Sequence, residues 1–319
     1  MLTRPNLAMY RERQIQPAVS SGPPVDARGI IDSRFLPDEE FGSLWESIVV
    51  PQAQRDQLLG QAVLNFTLRP KVDRGKVPLH GIILLVGPPG TGKTSLARGL
   101  ASRTAEALAS LGRFTYVEVD AHALGSSSLG KSQKAVQELL GQTISELADQ
   151  HPLIVLLDEV ETLAADRKRM SLEANPVDVH RATDAVLTQL DHLAAKHPQL
   201  LFIATSNFAE AIDQALVSRA DLVVTVDLPG LAARQAIFRD TLAELGRSFH
   251  RVAALATDAN AAGLAKASEG MDGRQIRKSV ISACAFDKRT ALDINHLNLD
   301  DIHRAITDWR QTAVRKEGK

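Results

Sequence analysis

A single cysteine, Cys284, stands in a chain of 319 residues, so no disulfide can form within it. Cys284 falls in a helical pattern with Ile276, Val280 and Ile281, which reads as a small buried apolar residue rather than a reactive thiol. The nine histidines form no set with metal-ligand spacing, and His192 and His197 are expected at the surface, on and just after a helix. Charge of one sign is also missing. Lys and Arg number 37 against 38 Asp and Glu, for a net charge of −1, which gives no general attraction to nucleic acid or to an anionic membrane. No apolar run approaches the length of a membrane span. Met1-Leu2-Thr3-Arg4-Pro5-Asn6 lacks the apolar core of a signal peptide, so the expected location is the cytoplasm. Internal repeats and low-complexity runs are absent. What is present is 44% hydrophobic residues, enough for a substantial core in one large or two modest domains.

The pattern along the chain is an alternation. Residues 1–34, rich in charge and turn formers, are expected to be an extended N-terminal arm. Phe41, Leu44, Trp45 and Ile48 make one apolar stripe of a helix. Buried strands are expected at Gly81–Val86, Arg113–Asp120, Leu153–Leu157, Leu201–Thr205 and Leu222–Val226, with helical segments between them. Such alternation means a parallel sheet between layers of helices. After Pro229-Gly230 only helical patterns remain. The expected division is thus a large α/β domain over residues 35–229 and a small all-helical domain over residues 230–319.

The most informative stretch is Gly87-Pro88-Pro89-Gly90-Thr91-Gly92-Lys93-Thr94, which matches the phosphate-binding pattern G-x-x-x-x-G-K-[ST] and lies between an expected strand and an expected helix opening at Ser95. Glycines let the backbone close around a phosphate chain, and the free N–H groups of the helix start add donors. In this pattern Lys93 reaches the β- and γ-phosphates and the Thr94 hydroxyl holds Mg²⁺. Ile48 and Val49, between two helical patterns, are candidates to wall an adenine pocket. Four further pieces follow in order. Asp158-Glu159 ends an apolar strand: Asp158 is the candidate Mg²⁺ contact, Glu159 the candidate base that polarises an attacking water. Asn207 ends the next strand and can bond that water or the γ-phosphate. Arg219 precedes an expected edge strand, where it can serve a neighbouring subunit as an arginine finger; the plainer alternative is a surface pair with Asp221. Arg274, after Gly273 at a helix start, can touch phosphate in its own subunit.

These pieces in this order resemble the AAA+ ATPases. The stretches Phe41–Ile48, Asp158–Leu163, Asp184-Ala185-Val186-Leu187-Thr188-Gln189-Leu190-Asp191, Thr205-Ser206-Asn207 and Ser218-Arg219-Ala220-Asp221 resemble more narrowly the pachytene-checkpoint ATPases, in a compact bacterial form. The resemblance runs from about Phe35 to Thr307. It implies an AAA+ fold with a five-stranded parallel sheet and a helical lid, ATP and Mg²⁺ as ligands, and a cytoplasmic homohexamer. It further implies a HORMA-domain protein as client in an anti-phage system, with neither membrane nor nucleic acid as direct partner. The place of the family's first pore loop, Ser127-Ser128-Leu129-Gly130-Lys131, has no aromatic residue with which to grip a threaded chain. The readings set against this one are a nucleic-acid-associated AAA+ loader, a non-catalytic nucleotide-dependent scaffold and a metabolic phosphate-loop kinase.

Overall fold

The computed structural model describes residues 27, 29–121, 131–162 and 176–317. Most of the arm, the Ser127–Gly130 stretch and most of the polar loop after Leu163 lie outside the described residues. A six-stranded sheet runs in the order β1 (Ile30–Leu36), β3 (Phe114–Asp120), β4 (Leu153–Asp158), β5 (Leu200–Ser206), β2 (Ile82–Val86) and β6 (Leu222–Thr225). Strands β3, β4, β5, β2 and β6 are mutually parallel along the sheet, and β1 joins the β3 edge antiparallel.

The five parallel strands are those expected, and β2, β4 and β5 are apolar runs because they are covered on both faces. Alternate residues of a strand point to opposite faces. In β2, Ile83 and Leu85 pack with α1 (Glu39–Ser47), α2 (Gln52–Leu68) and α3 (Lys93–Ala107), whose Phe41, Phe66 and Leu100 are fully buried there. Ile82, Leu84 and Val86 pack on the other face. That side carries α4 (Lys131–Val136), a π-helical stretch Gln137–Ile144, α5 (Ser145–Gln150) and α6 (Pro176–Lys196). α1 lies close on α3 at Gly99, where a Cβ would stand 2.7 Å from the Trp45 backbone.

β1 corrects two expectations. The sheet has six strands rather than five, and residue 34, expected to close an extended arm, lies inside a strand. Ile30–Leu36 pairs with Phe114–Val119, and its exposure runs through every class because it forms a sheet edge. Its charges, which make it read as an arm, are satisfied locally: Arg34 meets Asp32 at 2.7 Å and Asp38 at 3.2 Å.

A short helix α7 (Gln214–Val217) precedes β6. Beyond Gly230 the chain is helical: α8 (Leu231–Ser248), α9 (His250–Ala253), α10 (Asp258–Ala267), α11 (Gly273–Cys284), α12 (Lys288–Leu292) and α13 (Leu299–Glu317). They enclose a separate core around Phe238, Leu242, Leu264, Ile276, Val280 and Ile302, against which Val49 also packs. Cys284 is buried in α11. His197 differs from expectation: it is only 5% exposed, because the chain turns from α6 into β5 and carries it under Ser145. Among the described residues no helix is long and apolar enough to cross a membrane.

Candidate functional site

The site is built at the C-terminal ends of three adjacent parallel strands, where open α/β sheets collect ligands. β2 feeds the glycine-rich loop, β4 ends in Asp158, and β5 leads to Asn207. Gly90 and Gly92 have φ of 81° and 93°, in the left-handed region that favours glycine. A Cβ on Gly90 would run into the Asp272 carboxylate, and one on Gly92 would stand 2.6 Å from Ile48 Cδ1. The loop is therefore a cradle with no room for side chains. α3 opens at Lys93 with Gly92 as a cap that offers no side-chain acceptor, which leaves its first N–H groups available to an anion.

Lys93 is 5% exposed, and its Nζ donates to the carbonyls of Gly87 at 2.8 Å and Pro88 at 2.9 Å and to Asn207 Oδ1 at 2.9 Å. Burial pushes its pKa down, while the carboxylates of Glu161, Asp158 and Glu159 favour its charged form. Thr94 Oγ1 donates to Asp158 Oδ1 at 2.9 Å, and the Thr205 hydroxyl donates to the same oxygen. The Asn207 side chain donates from Nδ2 to Glu159 Oε1 at 3.0 Å. The Thr205 hydroxyl also accepts the Glu159 N–H at 3.2 Å, and through it Lys93, Thr94, Asp158, Glu159 and Asn207, all singled out in the sequence, form one hydrogen-bonded cluster.

Beside it, a cleft of about 360 Å³ runs between the loop and the helical part of the chain. Ile48, Val49 and Val50 line one side, Gly90 to Gly92 and Ser95 the floor, and Arg274 and Arg277 the far wall. Ile48 and Val49 are half-buried apolar residues, chemically suited to a flat ring. Their backbone is clasped from two sides. Arg55 donates to the Ile48 carbonyl at 2.6 Å, and Arg277 to the Ser47 carbonyl at 2.8 Å.

Arg219 is elsewhere. The N–H of its neighbour Asp221 donates to the Ile82 carbonyl, which places that turn at the start of β2, opposite the phosphate loop. Arg219 does not pair with Asp221, whose carboxylate accepts the N–H groups of His80, Gly81 and Ile82. Its guanidinium is bound by Asp191 of α6. Arg277 lies outside every stretch noted in the sequence, while Asp191, Glu161 and Thr205 lie within such stretches without a role of their own. The signals for them were modest: Arg277 lies one helical turn from Arg274, Glu161 two residues past Glu159, and Asp191 ends the Asp184–Asp191 stretch.

Residues 83–228 match the model of the ATPase family associated with various cellular activities (AAA). CD-NTase-associated protein 6 of Pseudomonas aeruginosa is 53% identical over 287 residues, covering 90% of this chain and 94% of that protein. The chain belongs to the AAA ATPase family. Within this family it is related to the pachytene checkpoint proteins. The putative pachytene checkpoint protein 2 of Caenorhabditis elegans is 35% identical over 216 residues, covering 66% of this chain and 50% of that protein. The chain thus spans about half the length of that relative. Among solved structures, a chain of the HORMA:CdnC:Trip13 complex of E. coli MS115-1 superimposes with a TM-score of 0.70 at 18% identity, covering 88% of this AAA protein and 95% of that chain. At that identity the match speaks for the AAA fold alone.

Proposed function

We propose that this AAA protein is an ATP hydrolase that uses turnover to remodel a HORMA-domain protein in a bacterial anti-phage signalling system. The observation that carries the hydrolase reading is the single cluster of Lys93, Thr94, Asp158, Glu159 and Asn207 at the strand ends. The loop at Gly90 and Gly92 suits a phosphate chain, since both glycines hold left-handed backbone and have Asp272 and Ile48 where a Cβ would stand. Thr94 and Asp158 would hold Mg²⁺, which neutralises phosphate charge when bound. Among the described residues no cluster of three or more His, Cys, Asp or Glu could hold a metal by itself. This suits an ion that takes its other ligands from phosphates and water.

In this reading Lys93 carries the counter-charge for the phosphates, and Glu159 accepts the proton of the attacking water at its carboxylate. Asn207, bonded to both, orients them. Ile48 and Val49 receive the adenine, and Arg274 approaches the phosphates from the helical part, which acts as a lid over residues 230–319. With β1 counted in its sheet, the large part is read as beginning at residue 30. Arg219, at the far end of β2, serves the site of the next subunit in a homohexamer, and the protein works in the cytoplasm.

The HORMA client is proposed from relatives. One is named for association with a CD-NTase, and the similar fold comes from a complex that contains a HORMA protein. The test is ATP turnover by the purified chain, alone and with the HORMA-fold protein recovered with it from its host. Stimulation by that protein, with turnover lost in Glu159→Gln while ATP binding remains, supports the reading. Near-normal turnover in Glu159→Gln removes it.

A further inference from the structure

Glu161 is not a residue that the phosphate-loop pattern names, yet its side chain is built into the cluster. β4 ends at Asp158, and the chain turns at Glu159, whose φ is 54°. A 3₁₀ turn over Val160–Thr162 follows, with the Thr162 N–H and hydroxyl both donating to the Glu159 carbonyl at 3.0 Å. This turn folds Glu161 back over the end of β5. There Glu161 Oε1 accepts the backbone N–H of Asn207 at 3.1 Å. The other oxygen, Oε2, is buried and has no hydrogen-bond partner among the described residues. A polar atom left buried and unpaired is costly. A carboxylate kept in such a place calls for an explanation.

Asn207 supplies it. Its side chain is suspended between two groups, with Oδ1 taking the Lys93 ammonium at 2.9 Å and Nδ2 donating to Glu159 at 3.0 Å. Only this orientation of the amide gives an acceptor to the cation and a donor to the carboxylate. The side chain can hold both only while its own backbone stays in place, and β5 ends at Ser206, one residue before it. Past the last ladder bond, the Glu161 carboxylate anchors that N–H. Its charge also lies close to Lys93, for which it is the foremost acidic influence.

We infer that Glu161 is a positioning residue for hydrolysis: by holding the Asn207 backbone it sets the Asn207 side chain between Lys93 and Glu159, and its loss slows turnover more than it weakens nucleotide binding. This rests on the reading of the site as an ATPase. Misplacing a group by about 1 Å can cost on the order of 10²-fold in rate, so Glu161→Ala is expected to lose about that much kcat. Glu161→Gln keeps an oxygen acceptor for the Asn207 N–H and loses the charge, so it restores most of the rate.

The experiment compares the full chain with Glu161→Ala and Glu161→Gln. It measures kcat and KM, ATP affinity by calorimetry, and amide exchange at Asn207 by NMR without nucleotide. Expected is a fall in kcat for the Ala variant at unchanged ATP affinity, faster exchange at Asn207, and recovery of both in the Gln variant. Wild-type kcat in Glu161→Ala overturns the inference, as does unchanged exchange at Asn207, or a loss confined to ATP affinity. If the Ala variant does not fold, the Gln variant decides: kcat and exchange near wild type support positioning, and a rate as low as that of Glu159→Gln overturns it. A wild-type chain without ATPase activity, or an active Glu159→Gln, overturns the ATPase reading and this inference with it. An inactive Glu159→Gln beside a fully active Glu161→Ala removes the inference alone.

Discussion

Arg219 and Asp191 form a two-pronged ion pair, Nε to Oδ1 at 2.9 Å and Nη2 to Oδ2 at 2.7 Å, while Arg219 Nη1 donates to the Ala215 carbonyl at 2.7 Å. The fork of a guanidinium matches a carboxylate in two parallel bonds, which fixes direction as well as distance. Its bond to Arg219 holds the Asp191 carboxyl below its usual range. Arg219, which precedes β6 at the edge of the sheet opposite β1, is thereby held rather than left free. A finger supplied to a neighbour contributes about 10³–10⁵ in turnover, so Arg219→Ala is expected to lose most hydrolysis and keep ATP binding. Mixed with Lys93→Ala, under conditions where subunits exchange, it should recover measurable ATPase at interfaces that retain both residues. Arg219→Lys should not rescue, since one ammonium cannot make the fork. Wild-type turnover in Arg219→Ala contradicts the assignment.

Gly92→Ala tests the cradle. The residue has φ of 93°, and a Cβ would stand 2.6 Å from Ile48 Cδ1. The backbone strain alone is about 1–3 kcal/mol, and Ile48 must also move out of the cleft wall. Calorimetry should show a large loss of ATP affinity, with a smaller fall in the thermal unfolding midpoint. Unchanged affinity would mean that the loop and Ile48 do not shape the site together.

Gly99→Ala tests the contact of α1 with α3, away from the phosphates. The added methyl meets backbone atoms of Trp45, which cannot swing aside as a side-chain tip can. Overpacking of this kind costs about 1–3 kcal/mol. Denaturant unfolding should show a lower midpoint at unchanged slope. A midpoint equal to wild type would mean that α1 shifts freely.

His197 gives a pH dependence with a defined sign. Its Nε2 lies 2.8 Å from Ser145 Oγ, and Lys196 Nζ donates to that same hydroxyl at 2.9 Å. Asp149 stands 3.6 Å from Nδ1. Burial pushes the imidazole pKa below its ordinary value of 6.5, outweighing the Asp149 charge, while Lys196 and His192 act in the same direction as burial. The unfolded chain therefore binds the proton more tightly. The contribution of neutral His197 is complete above pH 6.5 and is lost as pH falls through that value toward the depressed folded one. Thermal midpoints measured between about pH 8 and about pH 5 should fall on acidification, less so in His197→Gln. His80 is lowered by burial as well, so the difference between wild type and variant is the informative quantity. Parallel curves would show that His197 does not titrate on unfolding.

What could be read ahead of the structure was whatever the chain writes locally. The phosphate loop is contiguous, and Asp158, Glu159 and Asn207 announce themselves as polar residues closing apolar strands. What could not be read depends on residues distant in sequence. Ile30–Leu36 is a strand because Phe114–Val119 accepts it at an edge, and edge strands keep their charges. His197 sits next to Pro198 in a polar turn, and nothing nearby says that Ser145 will cover it. Arg219 was open to a plainer pairing with Asp221, the nearer acid in sequence, but Asp221 is spent on three backbone N–H groups at the start of β2. Arg277 and Glu161 act by holding backbone, a role that leaves no motif.

The backbone at Glu159 has an evolutionary corollary. A glutamate at φ of 54° sits where glycine is at ease, and the strain is about 1–3 kcal/mol. Glu159→Gly would relieve that strain and delete the carboxylate in a single change, so the resting fold and the chemistry pull this position in opposite directions. Inactive descendants of such a protein would then find a more relaxed turn here readily accessible. On the proposed function, keeping a glutamate in that turn gives up some stability for the carboxylate that hydrolysis would need.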